Sequence, residues 1–162
     1  MAKKIVIAGI GGVGGYFGGL LAKTYQDSDS VDLATIKSEG LKVLDDQMEF
    51  MAFPKLVSKN PHDFGTVDCV LFCTKTYSLE AIAQQLAPCI DDGTVLIPLQ
   101  NGVDSRETLQ KAYPTNLVTH GCVYLISRKE KPGLIVKKGQ VGSLFFGLPN
   151  TQDTRLSTLQ EI

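Results

Sequence analysis

Residues 4–25 read KIVIAGIGGVGGYFGGLLAKTY, and their order decides the fold. Residues 4–10 form a short continuous apolar run, the pattern of a buried strand, and residues 12–25 carry helical period. A strand that passes directly into a helix opens a βα unit. Between the two, Gly9-Ile10-Gly11-Gly12-Val13-Gly14 has the spacing GxGxxG, in the strand–turn–helix context that a dinucleotide-binding loop requires. Gly9 suits the tight turn, Gly11 admits a pyrophosphate to the backbone with no Cβ in the way, and Gly14 lets the helix lie close on the strand. The helix N-terminus adds free N–H groups and partial positive charge. Gly9, Gly11, Gly12, Val13 and Gly14 are therefore candidate cofactor-binding residues. The competing reading is packing alone, and Gly15, Gly18 and Gly19 show that close packing also matters in this helix.

The same rhythm continues. SVDLA reads as a second short strand, and LKVLDDQMEFMAFPKLV as two or three short strands with Asp45-Asp46-Gln47 as the first turn. VDCVLFCT is the continuous apolar run of a strand covered on both faces. The helix SLEAIAQQLAPC follows, with Leu79, Ile82, Ala83 and Leu86 on its apolar face, and stops near Pro88. TVLIPLQN is the next strand and DSRETLQKAY the next helix, with Asp104 and Glu107 spaced as a capping box. From Leu117 onward NLVTHGCVYLISR, GLIVKKG and VGSLFFG read as strands without intervening helices, joined at Lys131-Pro132-Gly133 and at Gly139-Gln140. TQDTRLSTLQEI begins a helix with Leu156, Leu159 and Ile162 on one face, and the pattern stops without a C-cap, as at a cut rather than a natural terminus. The prediction is one α/β domain over residues 1–162: a Rossmann-like, doubly wound, mostly parallel sheet with additional antiparallel strands at its C-terminal end.

Bulk properties agree with small-molecule chemistry. Lys+Arg 16 against Asp+Glu 17 leaves a net charge of -1, so no basic field draws in nucleic acid or an acidic membrane. No apolar run approaches the ~18 residues of a membrane span, and a cytoplasmic protein is expected. Cys69, Cys73, Cys89 and Cys122 have no CxxC spacing, and all four are expected to be reduced core thiols, with Cys69 and Cys73 on one strand face. With His62 and His120 as the only imidazoles, and no cluster at ligand spacing, no metal is expected.

Ligands of open α/β sheets bind beyond the carboxyl ends of the strands, so the residues just after VDCVLFC and TVLIP are the next candidates. Lys75, in Thr74-Lys75-Thr76-Tyr77, is either a donor to a nicotinamide ribose or substrate oxygen, or a solvated lysine in a turn. Asn101, in Gln100-Asn101-Gly102, is either a hydrogen-bonding partner of cofactor or substrate, or part of a turn before a helix. His120 is a candidate general acid because the histidine side chain type suits proton transfer, but a lone histidine is more often structural.

Together IAGIGGVGGYFGGLLA, GLKV, VDCVLFCTKTY and IPLQNGVDSRETL resemble the N-terminal domain of the ketopantoate reductase (2-dehydropantoate 2-reductase) family, over nearly the whole chain. The CTKTY and LQNGV pieces, at this distance from the glycine loop, are the more specific part. The resemblance implies NADPH-dependent reduction of 2-dehydropantoate to pantoate, on the path to pantothenate and coenzyme A. It implies that Gly9, Gly11 and Gly14 hold the pyrophosphate, and that Lys75 and Asn101 contact cofactor or substrate in the active site. The family carries a second, helical domain that supplies a lysine as proton donor and a surface for homodimerisation. That motif is not present here, so the expectation is a chain that binds NADPH with little or no turnover. The alternatives are a related 2-oxoacid or opine-type dehydrogenase, a non-catalytic NADP(H) sensor, and a purely structural module.

One stretch, SDSVDLATIKSEGL (residues 28–41), lacks the group that should read the adenosine ribose. An Asp or Glu ending the second strand would bond the 2′-OH of NAD, and a nearby Arg the 2′-phosphate of NADP. Asp32 lies within the strand, and Lys37 and Glu39 lie in the segment leading to Gly40, where a solvated role is expected. The resembling family has a longer passage with an arginine turn. Residues are therefore expected to be missing between Leu33 and Ala34, with a Cα separation there well above 3.80 Å.

Overall fold

The structure, a computed structural model, describes residues 4–24, 29–31 and 34–148. The expected break between Leu33 and Ala34 involves Leu33 and so lies outside the described residues, as do Asp32 and the helix expected near the end of the chain.

Five parallel strands form the first sheet: β1 (Ile5–Ala8), β2 (Asp29–Val31), β5 (Cys69–Phe72), β6 (Val95–Pro98) and β7 (Leu117–Val118), in the order β2-β1-β5-β6-β7. Every residue of β1, β5 and β6 is buried, which explains why these runs are continuously apolar rather than alternating. One face carries Val6, Ala8, Val70, Phe72, Leu96 and Val118. It packs on Leu79, Ala83 and Leu86 of α3 (Leu79–Leu86) and Leu109 of α4 (Ser105–Ala112). The opposite face carries Ile5, Ile7, Cys69, Leu71, Val95 and Ile97, on the side of α1 (Gly12–Thr24). Each such side chain contributes about 1.5–3 kcal/mol on full burial.

A second sheet holds β3 (Leu41–Leu44), β4 (Glu49–Ala52), β8 (His120–Lys131) and β9 (Leu134–Gly147) in the order β4-β3-β9-β8. The turn expected at residues 45–47 closes β3 onto β4, with Asp45 N donating to Met48 O at 2.8 Å. Pro132 and Gly133 (φ 74°) turn β8 into β9, and β9 then pairs in parallel with β3. So the strands after Leu117 divide: β7 ends the parallel sheet, whereas β8 and β9 join the insertion at 41–52. Helix α1 lies between the two sheets. A Cβ at Gly18 would sit 3.2 Å from Ile7 of β1, and one at Gly19 2.9 Å from Val43 of β3.

Four local expectations need correction. Gly139-Gln140 is not a turn but a bulge in β9: the register steps from Leu125↔Gly142 to Ile126↔Lys138, with Gly139 at φ 78°. Asp104 makes no side-chain cap on α4; its carbonyl instead accepts from Thr108 N and Thr108 Oγ1, because its αR backbone already continues the helix. Ala34, expected in the second strand, opens a short helix, α2 (Ala34–Glu39), which ends at Gly40 with φ 79°. Cys122 is exposed rather than a core thiol, since it falls on the outward side of the alternating strand β8.

Candidate functional site

In the sheet order the chain steps from β1 to β2 on one side and later to β5 on the other. That reversal opens a crevice at the carboxyl ends of β1 and β5, where ligands bind in open α/β sheets. The glycine loop fills it. Gly9 takes φ 101°, and a Cβ there would meet Thr74 Cγ2 at 2.9 Å and Thr74 N at 3.0 Å. The loops after β1 and β5 are therefore in contact, and Cys73 N donates to Ala8 O at 2.8 Å as the last rung between them.

The glycines of the motif divide by what surrounds them. A Cβ at Gly14 would overlap the Gly9 carbonyl and Cys73 Cβ, and one at Gly12 would overlap the backbone of Ser127. Packing accounts for both. At Gly11 an added Cβ has nothing within 4 Å, so packing does not require glycine there. Gly11 immediately precedes the first turn of the 13-residue helix α1, whose leading N–H groups and dipole favour an anion. The space that a Cβ would enter is suited to a diphosphate, and the donors and shape at this loop fit a dinucleotide. Behind the loop, burial pushes the half-buried Cys73 thiol up to about 12.

Lys75 and Asn101 are both exposed and stand in the loops after β5 and β6, which are adjacent parallel strands. The structure brings these loops together: Thr76 Oγ1 donates to Asn101 O at 3.1 Å, and Gln100 Nε2 donates to Thr74 Oγ1 at 3.3 Å. Val13 lies half-buried in the first turn of α1 and packs against the core. His120 precedes Gly121, which packs against Pro98 and Leu99 at the end of β6. His120 itself is exposed at the first position of β8, opposite Gly147, and shares a shallow concavity with Cys122, Phe145 and Phe146. The sequence reading quoted Thr74, Thr76 and Gln100 without assigning them roles. Ser127 was placed only as part of the strand NLVTHGCVYLISR, and no local pattern links it to Gly12, 115 positions earlier in the chain. Among the described residues, no group of three His, Cys, Asp or Glu is placed to hold a metal, and no helix is long and apolar enough to cross a membrane.

The sequence profile of the family described as Ketopantoate reductase PanE/ApbA matches residues 5–150. The chain belongs to the ketopantoate reductase family. That family comprises NADP-dependent oxidoreductases acting on small 2-oxoacids. Among curated relatives, the uncharacterized oxidoreductase YkpB of Bacillus subtilis is 29% identical over 163 residues, spanning 98% of this chain and 53% of YkpB. The 2-dehydropantoate 2-reductase of Mesorhizobium japonicum is 33% identical over 105 residues, 62% of this chain and 32% of that enzyme. The crystal structure of 2-dehydropantoate 2-reductase from Porphyromonas gingivalis superposes with a TM-score of 0.88 at 34% identity, covering 99% of this chain and 60% of that one. The ketopantoate reductase match thus takes in nearly all of the described fold, while the chain spans about half the length, or less, of its curated relatives.

Proposed function

We propose that this chain is the NADPH-binding portion of a reductase that converts 2-dehydropantoate to pantoate, in pantothenate and coenzyme A biosynthesis. The observation that carries the cofactor reading is Gly11, the glycine of the loop that no protein atom requires. On this reading Gly9, Gly11, Gly12, Val13 and Gly14 hold the pyrophosphate, which accepts hydrogen bonds from the helix N-terminus. When bound, NADPH supplies a hydride to the ketone carbon of the 2-oxoacid. Lys75 places a positive charge beside the nicotinamide-side ribose or the substrate, and Asn101 orients cofactor or substrate by hydrogen bonding. The oxygen of the reduced carbonyl needs a proton, and we assign its delivery to a lysine of the second, helical domain that the resemblance implies; that domain also offers the surface for a homodimer. The 162-residue chain then binds NADPH without appreciable turnover, in the cytoplasm.

Titration of the chain with NADPH and NADH, followed by the fluorescence of the reduced nicotinamide, tests this. Saturable binding that favours NADPH is expected; no binding of either would refute the reading. Steady-state turnover of 2-dehydropantoate by the 162-residue chain would refute the assignment of the proton donor. A related 2-oxoacid reductase is the second reading, favoured by the match of 98% of this chain to part of a relative named only as an oxidoreductase.

A further inference from the structure

The ladder between β5 and β6 runs in register to Phe72↔Pro98, and its last backbone rung is Leu99 N donating to Phe72 O at 2.8 Å. Past that rung the chains part company. One enters a 3-10 turn at Thr76–Ser78, and the other runs on to α4 at Ser105. Side chains keep the pairing going for two further steps. Gln100, the residue after Leu99, donates to Thr74 Oγ1, and Thr76 donates to the carbonyl of Asn101. Lys75 therefore has a tied threonine on each side, and its own backbone is extended at φ -71°, ψ 147°.

Gln100 is the anchored member. It is 8% exposed, and its amide oxygen is buried with no hydrogen-bond partner. Buried polar groups are normally satisfied, so an amide retained there with one end unpaired calls for a reason beyond filling space. Thr74 in turn packs its methyl against Gly9. One continuous set of contacts thus joins the phosphate loop to the Lys75 loop, and that loop to the Asn101 loop.

We infer that Thr74, Thr76 and Gln100 are positioning residues that set the spacing of Lys75 and Asn101 across the cofactor crevice; this rests on the NADPH-binding reading above. The sheet order gives the direction of the effect. The adenosine ribose lies toward β2 in such folds, so the opposite half of the dinucleotide extends over the ends of β5 and β6. Loosening the two ties weakens contacts to the nicotinamide half and leaves the adenosine half alone. A merely structural role would weaken both together.

Affinities of the full chain for NADPH and for 2′,5′-ADP, the adenosine half alone, separate the two cases. Thr74→Val and Thr76→Val keep the side-chain shape and remove the hydroxyl. Each is expected to weaken NADPH binding about two- to tenfold, the range of one net hydrogen bond, with 2′,5′-ADP unchanged. Gln100→Met should behave alike, and Thr76→Ser, which keeps the donor, should bind NADPH as wild type does. A Thr74→Val/Thr76→Val double variant with wild-type NADPH affinity, or with equal losses for both ligands, overturns the inference alone. A wild-type chain that binds neither ligand overturns the NADPH reading, and this inference with it.

Discussion

Lys137 and Asp45, 92 positions apart, form an ion pair at 3.1 Å with each side chain only 3% exposed. Tyr16 OH donates to the other Asp45 oxygen at 3.0 Å, and Lys137 Nζ also donates to Gly139 O at 2.5 Å. The pair joins the β3–β4 turn to the β9 bulge, and Tyr16 brings in α1, the helix that begins at the glycine loop. Burial works to raise the Asp45 carboxyl, but the hydrogen bonds from Lys137 and Tyr16 outweigh it and hold the group below its ordinary value. Burial, followed by the bond to Asp45, pushes the Tyr16 phenol up.

Acid stability follows from that sign. Between the lowered folded value and the unfolded value of about 4, the unfolded chain holds a proton at Asp45 that the folded chain does not. Asp45 therefore stabilises the fold fully above about pH 5, and the contribution is lost as pH falls through the folded value. Asp45→Asn should flatten the acid limb of a stability–pH curve measured by urea denaturation. At pH 7 it should also cost about 3–5 kcal/mol, because Lys137 is left buried without its counter-charge. A Lys137→Met/Asp45→Asn double variant should lose clearly less than the sum of the single changes.

Two glycines of one motif should fail differently. Gly11→Ala meets no protein atom, and its stability should stay within about 0.5 kcal/mol of wild type, while NADPH affinity falls about tenfold, some 1.4 kcal/mol. Gly14→Ala would drive its methyl into the Gly9 carbonyl and should cost about 1–3 kcal/mol or more. Melting curves paired with cofactor titrations separate the two. A cold Gly11→Ala chain that binds NADPH normally would remove the main support for the pyrophosphate assignment.

Lys75 and Asn101 are exposed, so replacing them should barely move the melting temperature. Lys75→Met and Asn101→Ala should each weaken NADPH binding about fivefold or more, as expected for a lost hydrogen bond to a charged or polar group. Calorimetric titration checks both.

The four thiols should react unequally. Burial pushes Cys69 and Cys73 up to about 12 and also raises Cys89, so almost no thiolate forms near neutral pH. Cys122 is exposed on β8. Ellman's reagent at pH 8 should titrate Cys122 quickly in the native chain, and all four thiols only after denaturation. A Cys122→Ser chain should then be nearly unreactive while folded.

The parallel sheet, its helices and the glycine loop were legible because each rests on local pattern. Continuous apolar runs mark strands buried on both faces, 3.6-residue period marks α1, α3 and α4, and GxGxxG between strand and helix marks the crevice. The placement of Lys75 and Asn101 in adjacent loops was legible for the same reason, since they directly follow two such strands. The second sheet was not. Whether β9 extends the parent sheet or pairs with residues 41–44 depends on partners some 90 positions away, and either pairing satisfies the same alternation. The bulge at Gly139 and the exposure of Cys122 follow from that pairing rather than from neighbours in sequence. So the sequence by itself determined most of the element types and the place of the glycine loop. Only the tertiary structure decided which glycine packing leaves open, which side chains tie the Lys75 and Asn101 loops, and that Lys137 finds Asp45, because those outcomes are set by contacts that exist only once distant segments meet.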